Sequence, residues 1–191
     1  MDKTQAADFS LTEEERASLA RLACRAIEDG LAGRRADASG PPPEQAALRE
    51  PAGAFVTLHS QGRLRGCIGS LMPSEPLYVT VSRMAQAAAF QDPRFPPLQP
   101  AEWPGVSLEI SVLSPPALCP DPSLIEVGRH GLVLARRGRS GVFLPQVPVE
   151  QGWDRLRYLE ALCGKAGLPP GSWKQPDSEL YWFEALVFQA R

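Results

Sequence analysis

At 191 residues, 43% apolar and 22% charged, the chain is long enough for one substantial core or for one domain of two lobes. A net charge of −2 offers no general attraction to nucleic acid or to an anionic membrane, so neither is an expected partner. No apolar run approaches the ~20 residues that span a bilayer. The acidic start "MDKTQAADFSLTEEER" lacks the apolar stretch of a signal peptide. The four cysteines (Cys24, Cys67, Cys119, Cys163) are dispersed with no CxxC pair. That usage fits a reducing compartment and predicts a cytoplasmic protein.

Thr12 opens "TEEE", a capping box with Glu15 at its third position, and predicts a helix start. Leu19, Leu22, Ala23, Ala26 and Ile27 then recur at helical spacing, with Cys24 beside the stripe, until Gly30 or Gly33. "GRRADASGPPPE" has the composition of a linker, and its three prolines forbid a regular element.

A hairpin follows: "AFVTLH", a turn "SQG", and "RLRGCIG" returning. Two registers are open. A two-residue Gln61-Gly62 loop pairs His59 with Leu64 and leaves His59 on the face opposite Cys67. A three-residue loop with Gly62 left-handed pairs His59 with Arg63 and puts His59, Arg63, Arg65 and Cys67 on one face. Gln-Gly is a weaker two-residue turn than Asn-Gly, which favours the second register.

Ser74 and Pro76 open a second helix through about Phe90, with Leu77, Val81, Met84, Ala85 and Ala88 toward a core. "QDPRFPPL" breaks it. "VSLEISVL" alternates strictly and predicts a half-buried strand with Val106, Leu108, Ile110 and Val112 inward. Cys119 lies in a proline-rich loop. "GLVLARRGRSGVFLPQ" is a second hairpin with an arginine-rich tip. Asp154 caps a third helix, with Leu156, Leu159, Leu162 and Cys163 apolar, and Gly167 ends it. "ELYWFEALVF" is a last strand. This order argues an α+β fold on a largely antiparallel sheet with packed helices.

The chain here resembles the AMMECR-type domain family, protein A of the AmmeMemoRadiSam system in prokaryotes. "LRGCIG", Leu64 to Gly69, matches its signature hexapeptide letter for letter. "FVTLH", "AAFQDPRFPPL", "LEISVLSPP", "IEVGRHGL", "GRSGVFLPQV" and "QGWDRLRYLEALCGKAGLP" match in order. The resemblance implies one AMMECR-type domain over residues 1–191, with residues 34–50 a variable linker. It implies a larger lobe carrying both termini and a smaller middle lobe. It also implies partnership with a Memo-like protein and a radical S-adenosylmethionine enzyme, and no defined biochemical activity.

The residues themselves frame the site. Arg65, two positions from Cys67, would favour a thiolate, and Gly66 and Gly69 would leave room for a ligand or partner chain. Packing, with a helix across the strand, is the competing reading for Cys67 and its two glycines. His59 or His130 could serve a nucleophilic Cys67 as base, or could be satisfied within the fold. Asp92 and Arg94 follow a helix, where ligand contacts occur; alternatively Asp92 makes an Asx turn before Pro93, with Arg94 on a carboxylate. Arg136, Arg137 and Arg139 read as a solvated turn or an anion contact. No ligand spacing supports a metal, and no cofactor loop or phosphate cradle is present, so no cofactor is expected. The expected function is an accessory, partner-binding protein presenting the "LRGCIG" surface to a protein partner or ligand. An enzyme with Cys67 as nucleophile is the alternative. The "LRGCIG", "DPRF" and "GRHG" segments are expected to converge on one surface.

Overall fold

The first helix, α1 (Glu13–Leu31), starts as its sequence requires. The Thr12 hydroxyl accepts from the Glu15 N–H at 3.2 Å, and the Glu15 carboxylate accepts from the Thr12 N–H at 2.8 Å. Leu19, Ala23, Ala26 and Ile27 are buried along one face. The structure is a computed structural model that describes residues 10–34, 42–72 and 74–191. It divides into two units, Met1–Leu113 with Leu186–Arg191, and Ser114–Ala185.

Within the stretch expected to be a variable linker, residues 35–41 lie outside the described residues. Ala46–Arg49 forms a short helix, α2, whose Leu48 is fully buried. Burying one leucine contributes roughly 1.5–3 kcal/mol, enough to pin this segment to the core.

The first unit is a sheet covered by helices. Strands β1 (Gly53–Ser60) and β2 (Arg63–Ser70) form the expected hairpin, and β3 (Val106–Leu113) pairs antiparallel with the other side of β1. β2 is thus an edge strand. Helix α3 (Leu77–Phe90) packs on β1, β2 and α1. Its cap is Pro76; Ser74 takes no part in capping. Ala85, Ala88 and Ala89 are buried, and such small side chains let the helix lie close to the sheet. Ala54, Val56 and Leu58 from β1, with Leu108, Ile110 and Val112 from β3, supply the sheet side of this core.

The hairpin corrects the favoured register. Its loop has two residues, Gln61 and Gly62, both left-handed with φ of 52° and 73°, as a type I′ turn demands. His59 therefore pairs with Leu64, not Arg63. Between Leu58 and His59 the register slips, so Leu58 faces Gly66 and Thr57 faces Cys67, leaving Arg65 as a bulge. One inserted residue reverses the facing of everything beyond it. His59 and Cys67 end on the same face, through a bulge and not through the loop.

The second unit repeats the theme of sheet and helix. Strands β4 (Ala117–Leu118), β5 (His130–Arg136), β6 (Arg139–Phe143) and β7 (Glu179–Gln189) align in the order β6-β5-β7-β4, all antiparallel. The end of the chain after β7 returns to β3, where Leu108 donates to the Arg191 carbonyl at 3.0 Å. Helix α4 (Gln146–Glu150) was not legible in the sequence. Helix α5 (Arg155–Lys165) has Asp154 as its cap, accepting from the Arg157 N–H at 2.7 Å. Leu159, Leu162 and Cys163 are buried as expected, but Leu156 is 57% exposed. It stands in the first turn, three residues before Leu159.

Candidate functional site

The centre of the site is Cys67 on the β2 edge. Its N–H donates to Asp92 Oδ2 at 2.9 Å, and its carbonyl accepts from Arg94 Nη2 at 3.2 Å. Both backbone groups are thus taken by side chains from the turn after α3, in the manner of a neighbouring strand. An unpaired edge invites another chain, and this turn caps it at one residue.

Asp92 is the keystone of that turn. Its side chain is 2% exposed, yet it carries four hydrogen bonds: from the Cys67 and Arg94 N–H groups and from Arg94 Nε and Nη2. The Arg94 guanidinium hydrogen bonds hold its carboxyl far below the usual carboxylate range, with the Cys67 and Arg94 N–H groups adding to this against the effect of burial. The bond from the Arg94 N–H closes the Asx turn over Pro93.

Arg65 is not directed to the thiol. Its guanidinium, on a side chain 12% exposed, grips Glu102 with two bonds of 2.8 and 3.1 Å. Arg65 holds the Glu102 carboxyl below its ordinary range, helped by the Gln99 N–H. The expected bias of Arg65 toward a Cys67 thiolate is therefore corrected: a carboxylate already neutralises it. Arg65 and Arg94 both lie on the Phe95 ring, 6.0 and 5.5 Å from its centroid.

The glycines also need correcting. A Cβ on Gly66 would stand 2.1 Å from the Ala88 carbonyl oxygen, so Gly66 exists to admit the α3 backbone on the core face. A Cβ on Gly69 would stand 2.1 Å from the Phe55 ring, which lies across it from the paired strand. Neither glycine keeps space open; both spaces are filled.

What remains on the Cys67 face is a small polar set. The Thr57 hydroxyl donates to Cys67 Sγ at 3.3 Å, and His59 lies one strand repeat further along the same face. Cys67, Thr57 and His59 are all partly exposed. The structure thus joins Cys67, Asp92 and Arg94 directly and adds Thr57, Phe95 and Glu102. Nothing local in sequence marks Glu102, which meets Arg65 across 37 positions.

His130 belongs to the second unit, at the start of β5. It is buried, its Nδ1 accepts from the Glu126 N–H at 3.0 Å, and its ring lies 4.4 Å from that of Trp182. Burial first, then the charge of Arg129, lowers its pKa. This is a neutral imidazole satisfied within its own unit.

An α+β protein with antiparallel sheet and an "LRGCIG" edge strand clamped by a "DPRF" turn is the class these observations define. The AMMECR1 family model matches residues 20–188, and the chain belongs to the AMMECR1 family. It is 45% identical to Protein MK0488 of Methanopyrus kandleri, across 94% of this chain and 90% of that one. It is 42% identical to Protein TK0174 of Thermococcus kodakarensis, across 95% and 93%. The crystal structure of the uncharacterized protein PH0010 from Pyrococcus horikoshii is similar with a TM-score of 0.83 and 41% identity, covering 94% of this chain and 93% of that one. Among the described residues, no helix is long and apolar enough to cross a membrane.

Proposed function

We propose that this chain is an accessory, partner-binding protein, and that the Cys67 face of β2 is what it presents. The observation carrying this reading is the Asp92–Arg94 clamp on the Cys67 backbone. The clamp fixes the strand from its edge while the Thr57, His59 and Cys67 side chains stay partly exposed. Rigid presentation lowers the entropy lost on docking, which suits a recognition surface. The partners proposed, on the family resemblance alone, are a Memo-like protein and a radical S-adenosylmethionine enzyme of the AmmeMemoRadiSam system. Cysteines without disulfides are consistent with a cytoplasmic setting.

Co-precipitation with each partner, comparing wild type with Cys67→Ser and Arg94→Ala, tests the proposal. Retention of one partner by wild type and its loss with Arg94→Ala is the expected result. Equal retention by all three would overturn it.

The Thr57–Cys67 contact favours a second reading, in which Cys67 acts as a nucleophile. A hydroxyl donating to sulfur can orient it as a nucleophile, and His59 on the same face is a candidate base. Under that reading Thr57→Val slows alkylation of Cys67 while leaving partner retention intact.

A further inference from the structure

The arginine-rich tip of the β5–β6 hairpin has no part in the site above. It is a two-residue type I′ turn, Arg137-Gly138, with φ of 49° and 74°. Asparagine or glycine is the natural occupant of its first position, and an arginine held left-handed there is strained. The turn borders a cleft of about 470 Å³ lined by Arg136, Arg137, Arg139, Ser140, Asp177 and Glu179, among others. That volume is on the scale of small-ligand sites.

Each guanidinium group is tethered by a single hydrogen bond and is otherwise under-used. Arg136 and Arg137 each give only Nε to Asp177, at 2.8 and 2.7 Å, and Arg139 gives one Nη to the Gly167 carbonyl. Each arginine has five N–H donors, and these three have no other hydrogen-bond partner among the described residues. Asp177 thus holds two forks side by side with their outer nitrogens free. The Arg136 side chain is only 15% exposed, so its position is set before any ligand arrives.

We propose that this cleft binds the phosphate group of a small organic phosphate. The free Nη groups of Arg136, Arg137 and Arg139 meet its oxygens, with the Ser140 hydroxyl as a further donor. A tetrahedral dianion suits donors from three side chains lining one cleft better than a planar carboxylate does, and two of the arginines already hold one carboxylate between them. The cleft is larger than a phosphate, leaving room for a small polar body and none for a folded partner.

Nuclear magnetic resonance titration of the full chain tests this, with chloride added to keep ionic strength constant. The probes are inorganic phosphate, ribose 5-phosphate, unphosphorylated ribose and a phosphoserine peptide. Saturable shifts at Arg136–Ser140 are expected for both phosphates, tightest for ribose 5-phosphate. Arg137→Asn keeps a turn-compatible residue, so it folds, and it weakens ribose 5-phosphate at least fivefold. Arg136→Gln does the same. Shifts that follow ionic strength alone, unchanged affinity in Arg137→Asn, or tighter binding of the phosphoserine peptide would each overturn the proposal.

Discussion

Asp92 stays charged with almost no exposed surface because four hydrogen bonds replace its water. Removing the charge in Asp92→Asn leaves Arg94 without its partner and weakens the Cys67 clamp, an expected loss of about 2–3 kcal/mol at neutral pH. Because the folded carboxyl titrates below its unfolded value, its contribution is full above that value and is lost as pH falls toward the folded one. Urea unfolding should therefore show wild type and Asp92→Asn converging below about pH 4. His130 titrates in the same sense at a higher window. Its folded pKa is lowered, so the stability it confers is present above its unfolded value, about 6.5, and declines as pH falls through the folded one. A His130→Asn variant, which keeps an acceptor for the Glu126 N–H, should lose less stability than wild type between neutral and mildly acid pH.

Each hairpin uses glycine to bring other groups close. Gly66 lies under the Ala88 carbonyl of α3, and Gly141 of β6 lies under the Ala166 backbone at the end of α5; Gly69 and Gly131 lie under the rings of Phe55 and Phe183. A backbone cannot step aside as a ring can. Gly66→Ala should cost about 2–3 kcal/mol, and Gly69→Ala distinctly less, by urea midpoint. These uses explain what was legible in the sequence and what was not. The Thr12 box, the Asp154 cap, the alternation of 106–113 and the position of both hairpins are local patterns, and each element stands where its pattern put it. The bulge at Arg65 leaves no mark on composition, so the favoured register was wrong although the facing of His59 was right. The Asp92–Cys67 and Arg65–Glu102 bonds span 25 and 37 positions, beyond any local pattern. "RGCIG" advertises its glycines without saying on which face their space is filled.

At the scale of the whole molecule, the described residues form two hydrophobic clusters, one on α1, α3 and the β1–β3 sheet, the other on α5 and the β5–β7 sheet. Leu162, fully buried in the second, should lower protection from hydrogen exchange among residues 114–185 by about 3 kcal/mol when cut to alanine, and affect α1 and α3 less. Cys163 lies in the second cluster and is fully buried, whereas Cys67 stands outside both on the outer face of β2 and is partly exposed. On access alone, iodoacetamide should label Cys67 first. The most direct test of the proposed docking face is that labelling rate with and without a saturating Memo-like protein or radical S-adenosylmethionine enzyme. The expected result is protection of Cys67 by one of them, at least tenfold, with Cys163 unlabelled throughout. A complex that forms while Cys67 reacts at its free rate would contradict it.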